Sequence, residues 1–249
     1  EAMSPVDCIF LDPARRNEHG GKTVAISDCE PNVAELEGLL LSKANRIMIK
    51  LSPMLDLSQA LKELPHTQEV HIISVNNECK ELLLLLGQTA PEEIPVHCVN
   101  LSTKGEQEKQ LFVFTREQEQ HSECSYTDTL GNYLYEPNAS LLKAGAFRSI
   151  AAAYSVKKLH PNSHLYTSDT QIEGFPGRTF RIINRCSLNK KEIKENLSDL
   201  KKANITVRNF PATVAELRKR IKLAEGGDTY LFASTLNDGQ KILIRCGKV

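Results

Sequence analysis

The chain has 249 residues, of which 41% are apolar and 25% charged, and its 31 basic residues balance 31 acidic ones. No stretch reaches the roughly 18 to 20 apolar residues of a membrane-spanning helix, and no secretory signal opens the chain. The seven cysteines form no Cys-x-x-Cys pair. We therefore expect a globular protein of one large or two to three small domains, with reduced thiols in the cytoplasm, no membrane contact and no metal.

The first predicted element is a short buried strand that ends in a rigid, charged turn. Residues 8–11 are apolar, Asp12 supplies a carboxylate at the end of the strand, and Pro13 fixes the backbone angle that stops it. Ligands of open parallel α/β sheets lie outside the carboxyl ends of the strands. Asp12 is therefore the first candidate for a chemical role, although a plain strand-ending turn would give the same pattern.

Two further strands with polar ends follow. Residues 46–51 lead to Ser52, and residues 70–75 lead to Asn76. Helices are predicted over residues 32–41, 57–64 and 78–86. This alternation predicts an α/β fold with a parallel sheet and crossover helices, and it brings all three polar strand ends to one edge. Residues 95–101 and 110–115 are joined by a polar loop and predict an antiparallel pair that closes the sheet.

Residues 12–16, Asp-Pro-Ala-Arg-Arg, resemble motif IV of class I methyltransferases that depend on S-adenosylmethionine (SAM). In that family an Asp/Asn-Pro-Pro-aromatic tetrad follows the fourth strand and holds the nitrogen to be methylated. The motif is also similar to the Asp-Pro-Pro-Arg of the five-methyluridine RNA methyltransferases. The present chain keeps the first two positions, replaces the second proline and lacks the aromatic residue. The resemblance implies that residues 1–116 are the carboxyl-terminal half of a Rossmann-like methyltransferase domain.

The same resemblance implies roles for seven residues. Asp12 and Pro13 would position the acceptor, Arg15 or Arg16 would contact a phosphate or a carboxylate, and Lys50, Ser52 and Asn76 would line the substrate pocket. A salt bridge to a helix explains Arg15 equally well.

A thiolate mechanism is disfavoured. Residues 73–77 are similar to the Ser-Cys-Asn-Pro motif of the five-methyluridine enzymes, but Val75 occupies the position of the nucleophilic cysteine. Cys79 lies one helical turn further along the predicted helix and is expected to pack. Methylation of a nucleophilic amine needs positioning and a proton acceptor rather than an enzyme nucleophile.

The cofactor site that the resemblance implies needs a glycine-rich turn, and no Gly-x-Gly-x-Gly occurs in this chain. We therefore expect a carboxyl-terminal fragment that neither binds SAM nor turns over alone, with SAM as the cofactor of the full-length protein only.

After a predicted linker at residues 117–123, residues 124–172 resemble a small ferredoxin-like domain that lies between the catalytic and THUMP-like parts of a bacterial methyltransferase family. The most distinctive piece is 135–138, Tyr-Glu-Pro-Asn, in which Asn138 can cap a helix predicted over 140–154. A short strand is predicted over 164–167. The alternative is a plain adaptor between domains.

The balance of charge over the whole chain conceals a basic segment. Residues 176–223 contain thirteen Lys and Arg against four acids, a local charge of +9, which leaves −9 for the remainder. The predicted elements are a strand at 179–185, a helix at 190–202, a strand at 204–210, a helix at 213–223, and a hairpin of 229–233 with 241–245. This order, over residues 175–249, resembles a THUMP-like domain, and THUMP domains bind RNA.

The charge and the resemblance together predict a SAM-dependent methyltransferase that acts on RNA, either tRNA or rRNA. The candidate RNA-binding residues are Arg181, Arg185, Lys190, Lys191, Lys194, Arg208, Arg218, Lys219 and Arg220. Three alternatives stay open: a solvated lysine-rich surface, a non-enzymatic RNA-binding adaptor, and a methyltransferase of a protein or small molecule. His66, His71 and His97 are scattered along the chain and are expected to be surface or structural residues rather than metal ligands.

Overall fold

The computed structural model describes residues 4–15, 25–103 and 109–249. The chain divides into two compact units, the first formed by residues 1–121 with 138–146 and the second by residues 122–137 with 147–249.

The first unit is built on a six-stranded sheet. Its elements in chain order are β1 (Val6–Leu11), β2 (Ala14–Arg15), β3 (Cys29–Glu30), α1 (Val33–Leu41), β4 (Ala44–Leu51), α2 (Leu57–Glu63), β5 (Thr67–Val75), β6 (Glu78–Leu86), β7 (Pro95–Leu101), β8 (Lys109–Thr115) and α3 (Arg116–His121). The strand order is β1-β4-β6-β5-β7-β8, and β2 pairs separately with β3. Strands β1, β4, β5 and β7 run parallel to one another, and β6 and β8 run against them.

The predicted α/β class and the antiparallel pair β7–β8 are confirmed, but the helix predicted over residues 78–86 is wrong. These residues form β6, which pairs with β5 through a two-residue turn. Asn76 and Asn77 form this turn with φ angles of 51° and 64°, the left-handed conformation that tight hairpins require. The run of five leucines concealed a strand in which Leu82, Leu84 and Leu86 are buried and the residues between them are half-buried.

One face of this sheet forms the core of the unit. Ile47 and Ile49 of β4, Val70 and Ile72 of β5, and their neighbours on β6 and β7 are fully buried. The opposite face is half-exposed and includes Phe10 on β1, whose side chain is 58% exposed. A ligand at the carboxyl edge therefore meets a rigid buried layer on one side and open strand surface on the other.

The region between the sheets differs from its prediction in two respects. Residues Arg116–His121, which overlap most of the linker predicted at 117–123, form helix α3. After β9 (Tyr133–Pro137), the predicted single helix is two helices, α4 (Ala139–Ala144) and α5 (Phe147–Ala153). Gly145 separates them with a left-handed φ of 76°, and α4 belongs to the first unit. The expected cap of Asn138 is confirmed, because its side chain accepts a hydrogen bond from the backbone N–H of Leu141.

The second unit is built on a seven-stranded sheet. Its further elements are β10 (Lys157–Lys158), β11 (Tyr166–Ser168), β12 (Gly177–Cys186), α6 (Lys190–Leu197), β13 (Asn204–Arg208), α7 (Val214–Ile221), β14 (Thr229–Thr235) and β15 (Lys241–Lys248). The strand order is β10-β11-β9-β12-β15-β14-β13. The predicted order of strands and helices in the basic segment is confirmed. Because β9 pairs with β12, the ferredoxin-like and THUMP-like stretches share one continuous sheet.

This second sheet has a core on each face. Leu231 and Ala233 of β14 pack with Leu197 of α6 and Leu217 of α7 on the helical side. Phe232, between them in sequence, packs on the other side with residues that include Leu159 and Leu165. The alternation along β14 thus fixes α6 and α7 to one face of the sheet.

Candidate functional site

The carboxyl edge of the first sheet brings Asp12 and Lys50 together. Leu11 and Ile49 are register partners on the parallel strands β1 and β4, so the next residues, Asp12 and Lys50, are neighbours. The Nζ atom of Lys50 lies 2.5 Å from Oδ2 of Asp12. This hydrogen bond is the main cause that raises the pKa of the Lys50 ammonium above its ordinary value. The ammonium group of Lys50 is therefore charged at neutral pH.

An open pocket of about 260 Å³ lies beside this ion pair. Four residues predicted for a site line it together, namely Asp12, Pro13, Lys50 and Ser52. Lys80 and Glu81 of β6 also line the pocket, and the sequence analysis missed them because it assigned their segment to a helix. The Asn-Asn pair before β6 is the signal that could have revealed the hairpin and with it these two residues.

The other predicted pocket residues either do not line this pocket or lie outside the described part of the chain. Asn76 is not among the lining residues; its side chain donates to Oγ1 of Thr103 at 2.9 Å and accepts from the backbone N–H of Thr103 at 3.0 Å. The backbone of Arg15 pairs with Cys29 in the small β2–β3 ladder. The side chain of Arg15 and the whole of Arg16 lie outside the described residues.

The pocket can hold a polar group by hydrogen bonding. Lys50 binds Oδ2 of Asp12, and among the described residues nothing binds Oδ1, which is left to accept a hydrogen bond from a ligand. Ser52 accepts a hydrogen bond from the backbone N–H of Met54 at 3.2 Å, which orients its hydroxyl group. Lys80 forms an ion pair of 2.7 Å with Glu78. A carboxylate, a hydroxyl and ammonium groups are thus available to align an acceptor.

Cys79 is half-buried, and burial raises the pKa of its thiol. At neutral pH it is therefore a thiol rather than the thiolate that a covalent mechanism requires.

His71 and His97, although far apart along the chain, lie side by side in the sheet. His71 of β5 and His97 of β7 are register partners on adjacent parallel strands, and their rings stack with centroids 4.4 Å apart. Glu69 lies on the same strand face, two residues before His71. His66 lies apart from this cluster, with its Nδ1 atom 3.4 Å from a carboxylate oxygen of Glu37.

The second candidate site is a groove of about 540 Å³ between α6 and α7. Its rim carries four cations, Lys190 and Lys194 from α6 and Arg220 and Lys222 from the end of α7. Its floor is apolar and formed by Ile193, Leu197 and Ile221. Asn189 caps α6, and a capping box of Thr213 and Glu216 begins α7, so both rim helices have fixed starting points.

Some of the predicted RNA-binding residues are engaged within the protein. Arg218 donates to the carbonyl of Ala203 at 3.2 Å, and Arg220 donates to the carbonyl of Leu188 at 2.7 Å. By contrast, Lys190, Lys191, Lys194 and Lys219 are exposed and have no ion-pair partner among the described residues. The free cations of this surface are therefore mainly lysines on α6.

Arg181 and Arg185 lie on opposite faces of the second sheet. A β-bulge between Ile182 and Asn184 inserts one residue into β12 and inverts the alternation of its side chains. Phe180 and Cys186, an even number of residues apart, consequently pack in the two different cores. Only Arg181 shares the helical face with the α6–α7 groove.

Arg208 is part of a buried ion cluster. The carboxylate of Glu136 is 2% exposed and accepts from both Arg178 and Arg208. Arg178 binds Oε2 through Nε at 2.9 Å and through Nη2, and Arg208 binds Oε1 through Nε at 3.2 Å and Nη2 at 2.9 Å. Glu136 thus links β9 to both β12 and β13, and it holds Arg208 in an intramolecular contact.

Comparisons with known proteins agree with this architecture. Residues 133–176 match a ferredoxin-like domain family, and residues 177–248 match a THUMP domain-like family. The chain is also similar to the crystal structure of a putative methyltransferase from Porphyromonas gingivalis W83, with 40% identity and a TM-score of 0.88. The match covers 98% of this chain and 60% of that one, so this chain spans about three fifths of its length. No curated protein sequence matches the chain.

The two expected domain resemblances are therefore confirmed. Among the residues that the structure describes, no helix has the length and apolar character needed to cross a membrane.

Proposed function

We propose that this chain is the acceptor-binding and RNA-binding part of a SAM-dependent methyltransferase that modifies RNA. The observation that carries the proposal is the 40% identity, along 98% of the chain, to the putative methyltransferase of P. gingivalis. Since this similarity includes both sheets, it favours a shared chemistry as well as a shared fold.

The pocket at Asp12 supports a role in positioning the acceptor. The Oδ1 atom of Asp12 can accept a hydrogen bond from an amino group and align its lone pair, while the Lys50 ion pair fixes the orientation of the carboxylate. Positioning of this kind needs no nucleophile on the enzyme. The protonated thiol of Cys79 is consistent with that route.

The described residues do not fit SAM itself. The pocket at Asp12 is open and lined by charged side chains, and the chain has no Gly-x-Gly-x-Gly loop on which the nucleoside could lie. SAM supplies the methyl group when bound, and we propose that its site requires sequence beyond these 249 residues. The P. gingivalis protein is longer by a margin that leaves room for such a site.

RNA as the substrate is supported by the α6–α7 groove within the THUMP domain-like segment. Four cations surround an apolar floor there, and only Phe180 and Phe210 are aromatic within residues 176–223. Modules that read bases use exposed aromatic platforms. We therefore propose that this surface binds phosphates with little dependence on base sequence.

Two measurements test the proposal. The full-length protein is incubated with labelled SAM and total RNA, and label should appear in RNA and disappear on RNase treatment. Label in protein or in a small molecule would reject RNA as the substrate, and no transfer together with tight RNA binding would indicate an adaptor.

The second measurement is a calorimetric titration of residues 1–249 with SAM, which should give no saturable heat. A dissociation constant near 1 μM, about −8 kcal/mol, would show that the cofactor site lies within this chain.

A further inference from the structure

We propose that Glu69, His71 and His97 form a binding site for a divalent transition-metal ion, with Zn²⁺ as the best match. The site lies on the half-exposed face of the first sheet and is separate from the pocket at Asp12. It is independent of the proposed methyltransferase function.

The backbone places the three side chains together. Glu69 and His71 are two residues apart on β5 and therefore project from the same face of the strand. His97 is the register partner of His71 on the neighbouring parallel strand β7. Val70 and Ile72 of β5 and Val96 and Cys98 of β7 project to the other face and are fully buried, so the backbone beneath the cluster is held by the core.

The donor atoms are already close to one another. Oε2 of Glu69 lies 3.2 Å from Nε2 of His71 and 3.9 Å from Nε2 of His97. The three ligand atoms all lie within 4.8 Å of one another. Ligands at about 2.0 to 2.1 Å from a tetrahedral zinc ion are separated by distances of a similar size. The two imidazole planes are only 10° apart, so one ring must turn about its χ2 angle to direct both Nε2 atoms at one ion.

The donor set selects the metal. Two imidazoles and one carboxylate match the three protein ligands of open zinc sites, in which water or another group takes the fourth position. Mg²⁺ and Ca²⁺ prefer oxygen ligands and are disfavoured here. The side chains of Glu69, His71 and His97 are 44%, 28% and 25% exposed, so an ion can enter from solvent without unfolding the sheet.

The two histidines share one carboxylate, since Nε2 of each ring lies within 3.9 Å of Oε2 of Glu69. An ion held by all three side chains would account for two imidazoles that share one carboxylate on an open face.

The test begins with the chain stripped of metal by a chelator. Titration with Zn²⁺ in a calorimeter should show one ion per chain, and the thermal unfolding midpoint should rise with Zn²⁺ because the ion binds the folded state. Mg²⁺ should do neither. Titration with Co²⁺ should give visible absorption bands of a nitrogen and oxygen site without a thiolate charge-transfer band.

Variants locate the site. His71→Ala and His97→Ala should each weaken Zn²⁺ binding about tenfold or more, at least the loss that changes in the outer shell of a metal site cause. Glu69→Gln keeps the size of the side chain and should also weaken Zn²⁺ binding. It therefore tests the site even if a histidine variant fails to fold. His121→Ala, on the exposed helix α3, is the matched control and should bind as the parent does.

Two results would overturn the proposal. One is a thiolate band with Co²⁺, which would assign binding to a cysteine side chain, of which that of Cys8 is exposed. The other is equal affinity in the parent, His97→Ala and Glu69→Gln proteins.

Discussion

The side chain of Asn77 accepts a hydrogen bond from the backbone N–H of Ala139 at 2.8 Å and so connects the β5–β6 turn to the start of α4. The backbone N–H of Asn77 in turn donates to Oδ1 of Asn100 at 3.0 Å. Gln110 accepts from the side chains of both Asn100 and Asn138, at 3.3 Å and 3.0 Å. The carboxyl end of β5, predicted to contribute to a ligand pocket, is therefore an anchor for a helix.

Two substitutions of Asn77 should separate the contribution of its side-chain hydrogen bond to stability from that of its left-handed backbone conformation. Asn77→Gly keeps the left-handed turn but removes the acceptor, and we expect a loss of about 1 kcal/mol in the free energy of unfolding. Asn77→Ala adds the cost of a left-handed alanine, about 1 to 2 kcal/mol more. Urea denaturation measures both values. Equal stability of the two variants would show that the backbone conformation contributes nothing.

Asp12 should control transfer without controlling cofactor affinity. In the full-length protein, Asp12→Ala should lower kcat/KM for methyl transfer about a hundredfold or more, because a misaligned acceptor reacts slowly. The dissociation constant for SAM should stay unchanged in calorimetry. Asp128→Ala, at an exposed site outside the pocket, is the control. Loss of SAM affinity in Asp12→Ala would move Asp12 into the cofactor site.

Lys50→Met should have a smaller effect than Asp12→Ala. The exposed Asp12 carboxylate remains available to an acceptor, but it loses the partner that fixes its orientation. We expect a decrease in kcat with little change in KM, both obtained by varying the RNA concentration. A larger loss than in Asp12→Ala would mean that the ammonium group itself contacts the substrate.

Cys79→Ser should be almost silent in the methyl-transfer assay. Burial raises the pKa of the Cys79 thiol, so at neutral pH the residue packs rather than attacks a base. Denaturing gels of the parent protein incubated with RNA should show no covalent adduct. An adduct that disappears in Cys79→Ser would establish the thiolate mechanism instead.

We expect Glu136 to contribute strongly to the stability of the second unit. Glu136→Gln leaves Arg178 and Arg208 without their shared carboxylate, and breaking a buried ion pair costs about 3 to 5 kcal/mol. We expect the lower end of that range, since both arginines are partly exposed and can turn to water. Glu195→Gln, on the exposed surface of α6, should change stability by less than about 0.5 kcal/mol. Thermal or urea unfolding of both variants decides the point.

The elements predicted best are those whose ends are marked by capping or turn residues close by in the sequence. In the basic segment, Asn189 and Thr213 are helix-capping residues, and Asn237-Asp238-Gly239 is a turn signal, and all the strands and helices predicted there are present. In the first unit, the apolar run and Pro13 correctly predicted the end of β1. These signals act over three or four residues and need no knowledge of the rest of the chain.

The sequence could not show features that depend on partners distant in the chain. A run of five leucines fits a buried helix and a strand equally well, and only the pairing of β6 with β4 and β5 decides between them. The same pairing brings Lys80 and Glu81 to the pocket. His71 and His97 are 26 residues apart in sequence and meet because β5 and β7 pair in parallel. The bulge between Ile182 and Asn184 places Arg181 and Arg185 on opposite faces of the sheet, and no local sequence signal predicts it.

The lysines of α6 should carry RNA binding. Replacing Lys190, Lys191 and Lys194 by Glu reverses the free charge beside the α6–α7 groove, and we expect at least about a tenfold loss of affinity for tRNA or rRNA fragments in filter binding. For the parent, the logarithm of affinity should fall with the logarithm of salt concentration with a slope of about −0.7 for each neutralised phosphate of a single strand. The triple variant should show a shallower slope.

A matched control variant makes the same change in net charge at three lysines outside the groove. Lys62, Lys157 and Lys241 are exposed and lie outside the groove, so their replacement by Glu alters the total charge by the same amount. At physiological salt, screening restricts the effect of an exposed charge to about 8 to 10 Å. We therefore expect this control to bind RNA within about threefold of the parent, a change of less than about 0.7 kcal/mol. If both triple variants lose affinity equally, RNA is attracted by net charge alone, and the groove between α6 and α7 is not the binding surface.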